Sequence, residues 1–187
     1  MKQKNVVPAD SGWVDKKILE FPGSPFQRIG KDWMLISAGE TAKDKANWNT
    51  MTASWGGLGV LWAMNVAFIF IRPCRYTFDF ANATSLFTLS FFDESQRGAL
   101  KICGEQSGRD IDKASVAGLS PIVFEDGPIA GAIGFKEAKE IIICRKLYTQ
   151  DIDPSKFLDA PAIEKHYPKK DYHRMYVGEV IGFKARG

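Results

Sequence analysis

The residues best suited to chemistry are a long uncharged stretch and the two arginines that follow it. The stretch runs from Trp48 to Ile71 and carries amide, hydroxyl, indole and glycine groups in an apolar context, and Arg72 and Arg75 come directly after it. A planar, phosphorylated aromatic ligand needs this mixture, because its ring requires apolar walls and polar contacts while its phosphate requires cations. The stretch therefore predicts a cofactor site, with a flavin as the leading ligand.

A second interpretation of the same stretch is a transmembrane helix, since its length exceeds the roughly 20 residues that cross a bilayer. Polar side chains and three glycines interrupt it, and only the part from Val60 to Ile71 is densely apolar. Glycine and polar residues weaken a membrane helix, and a short apolar run is more typical of a buried element. We therefore predict no membrane association.

Each part of the predicted cofactor site has a candidate group. Arg72 and Arg75 present planar forks suited to a phosphate, and Thr77 is expected to cap a helix whose N–H groups point outward. Further hydroxyls come from Thr50 and Thr52, and the aromatic slot is assigned to Trp55, Trp62, Tyr76 and Phe91. The alternative stays open that the arginines are solvated charges at a strand end and that the aromatic residues belong to the core.

These groups must be positioned by a mainly β domain. Strands are predicted over residues 32–38, 46–55, 66–71, 85–92, 122–125, 131–135, 140–148 and 175–183, with a turn at the GGLG of residues 56–59. Helices are predicted over 78–83, from Asp93 to the loop at Ser107, and over 112–119. Helices inserted singly among strands favour an antiparallel β-barrel with peripheral helices over a doubly wound sheet.

Composition sets limits on the class of protein. The 187 residues are predicted to form one domain, 1–187, and 45% hydrophobic with 25% charged residues is typical of a soluble globular protein. A net charge of +3 is too small to indicate nucleic-acid binding, although residues 166–174 form a basic and aromatic cluster. A non-catalytic barrel that binds single-stranded nucleic acid therefore remains only an alternative of another class.

Cysteine usage and the N-terminal residues predict a cytoplasmic protein. The three cysteines are widely spaced without a CxxC, which encodes neither a disulfide framework nor a thiolate metal site, so we expect reduced and buried thiols. The first 13 residues contain no apolar core of the kind a signal peptide needs. No metal is predicted. Haem or pyridoxal phosphate is a further alternative ligand, but no axial histidine or Schiff-base lysine is indicated.

Several segments, in this order along the chain, resemble the flavin reductase-like family, which includes the flavoredoxins. The segments are residues 49–55 (NTMTASW), 71–77 (IRPCRYT), 87–92 (FTLSFF), 104–110 (GEQSGRD) and 171–180 (DYHRMYVGEV). The resemblance covers most of the chain. It implies a split β-barrel of Greek-key type, a homodimer, and FMN bound noncovalently near the subunit interface.

The resemblance also implies positions for the cofactor. By position, the residues that border the flavin are Asn49, Thr50, Met51, Thr52 and Trp55. The residues that line its ring and phosphate region are Arg72, Tyr76, Thr77, Ser90 and Phe91, and further phosphate or ribityl contacts are Ser107 and Arg109. Loss of the Arg72 or the Arg109 side chain is accordingly predicted to weaken FMN binding.

The implied activity is that of an NADH- or NADPH-dependent flavin reductase, in which reduced nicotinamide delivers hydride to the flavin. A neighbouring possibility is a flavoredoxin-like electron carrier, which retains FMN and accepts electrons from a redox partner protein. His173 is the candidate for an acid, a base or a nicotinamide contact, because histidine is a general proton-transfer group. It is alternatively a histidine that forms a hydrogen bond at the mouth of a strand.

Overall fold

The computed structural model describes residues 12–42 and 44–187. The strands found there are β1 Trp13–Asp15, β2 Met34–Gly39, β3 Trp48–Ala53, β4 Gly56–Leu61, β5 Met64–Ile71, β6 Leu86–Phe91, β7 Pro121–Val123, β8 Ile133–Phe135, β9 Glu140–Asp151 and β10 Arg174–Arg186. The helices are α1 Pro25–Gln27, which continues into a π-helical turn Arg28–Asp32, then α2 Thr77–Ala83, α3 Arg97–Glu105, α4 Lys113–Ala117 and α5 Ala160–His166.

The main sheet is antiparallel and open. Its strands lie in the order β3-β2-β6-β9-β10-β5-β4, β1 pairs with the end of β10, and β7 and β8 form a separate hairpin. The edge strands β3 and β4 do not pair in the described part of the chain, yet only Ser54 and Trp55 connect them. Two residues span only a few ångströms, so the two edges of the sheet approach each other there. The sheet is thus curled and split at Ser54 and Trp55.

Two apolar clusters cover the two faces of the sheet. In β2 and β9, Ile36 and Ile142 belong to one cluster, whereas their neighbours Leu35 and Ile141 belong to the other. This alternation follows from the two-residue period of a strand. The first cluster also contains Ile69, Phe91 and Tyr176, and the second contains residues of α3, α4, β7 and β8. Helices α3 and α4 therefore pack on the outer face of the sheet, next to β3.

The predicted class, mainly β with peripheral helices, is confirmed. The GGLG turn is wrong, because Gly56–Leu61 forms β4 and pairs residue by residue with β5. An edge strand needs few packed side chains, so backbone pairing decides its structure here and glycine does not prevent it. Strand β1 and helices α1 and α5 were not predicted. The helix expected to be capped by Thr77 begins at that residue, with Tyr76 at the N-cap position.

Two other expectations concern the membrane and the thiols. Within residues 12–42 and 44–187, no helix combines the length and the apolar character needed to cross a bilayer. Cys103 and Cys144 are buried free thiols, as expected, but Cys74 is exposed. Cys74 follows Pro73 in the turn after β5, where the chain leaves the sheet before α2 begins.

Candidate functional site

A cavity of about 230 Å³ lies where the sheet is split, and we call it the charged cavity. The end of β3 and the linker to β4 form one wall, and the end of β5, the turn after it and the residue preceding β10 complete the lining. Its lining residues are Met51, Thr52, Ala53, Ser54, Trp55, Phe70, Arg72, Arg75 and His173. Two guanidinium groups and an imidazole thus meet hydroxyl groups and apolar side chains in one cavity.

A second cavity of about 420 Å³ shares Ser54 and Trp55 with the first, and we call it the apolar cavity. Its lining residues are Pro25, Phe26, Ile29, Gly30, Ser54, Trp55, Gly56, Gly57 and Leu58. This lining contains no charged side chain, and Phe26 at its rim is 90% exposed. The two cavities therefore offer a cationic region and an apolar region that share the Ser54–Trp55 linker.

The two arginines of the charged cavity differ in how their charges are compensated. Arg72 forms an ion pair with Asp171 at 2.7 Å and donates to the His166 carbonyl at 2.8 Å. Arg75 donates from Nη1 to the Gly104 carbonyl at 2.8 Å, and no carboxylate of the described chain lies within ion-pair distance of it. Arg75 is therefore the cavity cation that most needs an anion.

Strand β3 presents main-chain groups along its unpaired edge. The carbonyl oxygen of Thr50 accepts a hydrogen bond from Lys113 Nζ at 2.9 Å, so the main chain of Thr50 points away from β2. Because main-chain direction alternates along an antiparallel strand, Thr52 faces the same free edge. The Thr52 hydroxyl donates to the Leu100 carbonyl of α3. The edge is thus held in place by α3 while the main-chain groups of Thr52 remain available to a ligand.

Lys113 is a buried cation behind this edge that the sequence reasoning missed. Its Nζ donates to the carbonyls of Thr50 and Cys103, each at 2.9 Å, and the residue is 6% exposed. Burial lowers its pKa to about 8, the nearby Cys103 thiol opposes this change, and Arg75 adds to it. Lysine in the first turn of a helix is unfavourable for the helix dipole. A lysine at the start of α4 is the sequence signal that could have indicated hydrogen-bond partners for Lys113 outside its own helix.

His173 lines the charged cavity as a neutral imidazole. Its Nδ1 lies 2.8 Å from the Tyr167 hydroxyl, and its ring is 5.1 Å from the Trp55 ring. Burial lowers the pKa of His173 to about 4, Arg72 and Arg75 add to this effect, and Asp171 opposes it. Burial also raises the pKa of Tyr167, which keeps its phenol protonated. We infer that the phenol donates to Nδ1, which leaves the proton of neutral His173 on Nε2.

We expect His173 to remain uncharged throughout the physiological pH range. In a carbon–proton NMR titration of the imidazole groups, its signals should not shift between about pH 5.5 and pH 8, because the pKa lies near 4. A His173→Gln variant assigns the signals, and His166→Gln is the matched control. A His173 midpoint between pH 6 and pH 7 would contradict the burial and the cationic surroundings described above.

Other predicted residues are outside the lining of the charged cavity. Asn49 and Thr77 are both buried, and Asn49 Nδ2 donates to Thr77 Oγ1 at 2.8 Å. Arg109 forms an exposed ion pair with Asp79 at 2.9 Å and lies over the Tyr76 ring at 4.7 Å, and Ser107 Oγ accepts from the Arg109 main-chain N–H. These contacts connect β3, α2 and the loop after α3. None of these residues lines the charged cavity.

The predicted residues of β6 lie in the core. Phe91 is buried with its ring 5.0 Å from that of Phe21, and Ser90 is fully buried. Trp62 lies at the tip of the β4–β5 hairpin and is 63% exposed.

Of the predicted site residues, the structure brings five to the charged cavity: Met51, Thr52, Trp55, Arg72 and His173. Lining a cavity does not test cofactor binding, so all thirteen remain predictions as flavin-site residues.

Comparisons with known proteins identify the fold. No protein-family model matches the chain, and no curated protein matches it either. Among solved structures, an FMN-binding domain of a flavin reductase-like enzyme from Shewanella baltica superposes with a TM-score of 0.62 at 12% identity, covering 93% of this chain and 77% of that one. The flavoredoxin of Desulfovibrio vulgaris gives 0.59 at 18% identity, with coverages of 82% and 68%.

A third similar structure is the NADH:FAD oxidoreductase of Streptomyces globisporus in complex with NAD and FAD fragments. It gives a TM-score of 0.58 at 15% identity and covers 82% of this chain and 74% of that chain. These superpositions confirm the split-barrel fold and the resemblance to the flavin reductase-like, FMN-binding proteins at the level of the fold. Because a fold hosts many activities, the activity has to be argued from the site.

Proposed function

We propose that this protein binds FMN across the Ser54–Trp55 linker and acts as a flavin-dependent oxidoreductase. The observation that carries the proposal is the pair of neighbouring cavities, one cationic and one apolar, that share Ser54 and Trp55 at the split of a barrel fold also seen in FMN-binding proteins. The charged cavity alone, at about 230 Å³, is smaller than the usual ligand pocket of about 300–1,000 Å³. A ligand that extends into the apolar cavity uses both.

The lining residues fit the two ends of FMN. Arg75 would bind the phosphate and Arg72 would assist it, because guanidinium groups form charge-assisted, bidentate contacts with phosphate oxygens. Thr52 would contact the ribityl chain or the polar ring edge through its main chain. Trp55, with Leu58 on the apolar side, would pack against the ring. When bound, the flavin supplies the redox chemistry by accepting and releasing a hydride or electrons.

The protein's own residues would then position and shield the cofactor. His173 stays neutral beside the arginines, so it adds no third positive charge that would repel them in the unliganded site. If Nε2 carries the proton, His173 donates a hydrogen bond into the cavity without moving a proton. The burial of β3 behind α3 would exclude water from one side of the site. Within this proposal, hydride comes from NADH or NADPH, and neither is preferred by the residues present.

The first experiment is an absorption spectrum of the protein after reconstitution with FMN and desalting, followed by anaerobic addition of NADH and NADPH. We expect a retained flavin spectrum that bleaches with a reduced nicotinamide. Retention without bleaching would favour a flavoredoxin-like carrier that a partner protein reduces. Rapid nicotinamide oxidation only with added free flavin would indicate a reductase that uses flavin as a substrate. No flavin binding under any condition would refute the proposal.

A homodimer is also part of the proposal, because the apolar cavity is open and Phe26 at its rim is exposed. A second subunit that covers this rim would complete the site. Flavin retention should then fall when the protein is diluted below the dimer dissociation constant. Sedimentation velocity and flavin fluorescence over the same concentration series test this expectation. A monomer that retains FMN at all concentrations would contradict it.

A further inference from the structure

We propose that Lys113 is a positioning residue for the anionic end of the site and that its ammonium group couples anion binding to the uptake of a proton. This inference rests on the proposed function, since it takes the phosphate to bind at Arg75. Lys113 does not line the charged cavity. It acts on the ligand through β3 and through the charge of Arg75.

The C-terminal end of α3 contacts strand β3 and both cations, Lys113 and Arg75. Three carbonyls in the last turns of α3 accept hydrogen bonds from outside the helix: Leu100 from Thr52, Cys103 from Lys113, and Gly104 from Arg75. The last carbonyls of a helix lack partners within it, and cations are stabilised at its C-terminus. The end of α3 therefore fixes the edge of β3 and both cations at once. A displacement of the helix end at one of these three hydrogen bonds is therefore expected to shift the groups that form the other two.

Among the described residues, Cys103 and Arg75 are the titratable groups that shift the pKa of Lys113. Helix α3 faces it with the Cys103 thiol, whose pKa burial raises to about 11, and the turn before α2 contributes Arg75. Strand β3 presents the uncharged Thr50, and Asp112 on the lysine's own helix accepts a hydrogen bond from the Ser115 main-chain N–H. Arg75 is thus the charge through which a bound anion reaches Lys113.

The direction of the coupling follows from these charges. A phosphate at Arg75 offsets the guanidinium charge, so it raises the pKa of Lys113 above the value of about 8 in the free protein. The bound state then holds more protons than the free state above about pH 7.5, and affinity falls as pH rises through 8. Below about pH 7, Lys113 is protonated in both states and adds no pH dependence. The phosphate of FMN, with a second pKa of about 6, is already a dianion in this window.

The test is calorimetric titration of the intact protein with FMN at pH 8 in Tris and in Hepes, whose ionisation enthalpies differ. If binding raises the pKa of Lys113 by one unit, about 0.4 proton is taken up per FMN, and affinity is about fivefold weaker at pH 9 than at pH 7. A difference in heat between the two buffers gives the number of protons directly. This measurement needs no variant.

Two variants separate the charge from the structure. Arginine stays charged, so Lys113→Arg should keep the affinity at pH 7 and remove the decrease between pH 7 and pH 9. Lys113→Met should lose both affinity at pH 7 and the pH dependence. The matched control is Lys146→Met, because Lys146 also donates to carbonyls at a helix end, those of Ala81 and Asn82, and lies outside both cavities. This control should keep the wild-type profile.

The outcomes distinguish this inference from the proposed function. FMN binding without proton uptake, or a Lys113→Arg variant that keeps the pH dependence, would overturn the role of Lys113 and leave flavin binding intact. If FMN does not bind, the proposed function is wrong, and titration with inorganic phosphate tests Lys113 instead. Proton uptake with phosphate at pH 8 would support the coupling, and its absence would overturn it.

Discussion

Replacing Arg75 with alanine is expected to weaken FMN binding by about 1.5–3 kcal/mol, which corresponds to about a 10- to 150-fold higher Kd. Arg75 lines the charged cavity and is held in place by the Gly104 carbonyl, and no carboxylate in the described ranges compensates it. Its charge is therefore available to the phosphate. Flavin fluorescence titrations at pH 7 measure the change in affinity.

The other arginines provide comparisons for this result. Arg75→Lys keeps the charge but not the planar fork, so an intermediate loss of affinity is expected. Arg145→Ala is the matched control, because Arg145 forms an exposed ion pair with Glu179 and lies outside the cavities. Arg109, which was predicted from the sequence to contact the phosphate, is paired with Asp79 and should have the smaller effect. An Arg75→Ala affinity within twofold of wild type would contradict the phosphate assignment.

The strands and the outer helix that carry the site follow from local patterns in the sequence. The apolar run before Arg72 predicts β5, and the polar and apolar spacing of α3 places Leu100 and Cys103 inward, as observed. Both signals are local because strand and helix periodicities are visible within ten residues. By contrast, β4 was missed because its structure depends on pairing with β5 and not on its own glycine-rich residues.

For the candidate site too, local sequence predicted some of the residues, whereas contacts between distant segments were not predictable. Residues close to one another in sequence, such as Met51, Thr52 and Trp55, were found because one strand and its linker carry them to the cavity. The sequence did not show which of the two arginines has a carboxylate partner, because Asp171, the partner of Arg72, lies on a distant segment. Lys113 was missed for the same reason, because its acceptors lie on β3 and α3.

Replacing Arg28 with methionine is expected to lower the free energy of unfolding by about 3–5 kcal/mol. Arg28 forms an ion pair with Glu140, the first residue of β9, and the two side chains are only 15% and 9% exposed. Methionine fills similar space but leaves the Glu140 carboxylate buried without its Arg28 partner. An unpaired buried carboxylate lowers the free energy of unfolding by more than the loss of an exposed ion pair does. Urea denaturation at pH 7 measures the change, and Arg145→Ala, from an exposed pair, should change stability by less than about 1 kcal/mol.

A double variant tests the cause of that loss. Combining Arg28→Met with Glu140→Leu removes both charges, so most of the lost stability should return. The Arg28–Glu140 ion pair also lies close to the proposed cofactor site. The Arg28 guanidinium is 5.3 Å from the centre of the Phe91 ring, and the next two residues, Ile29 and Gly30, line the apolar cavity. If the double variant recovers stability and FMN affinity together, Arg28 acts on the site only by supporting the cavity wall. Recovery of stability without affinity would instead give Arg28 a direct part in binding the flavin.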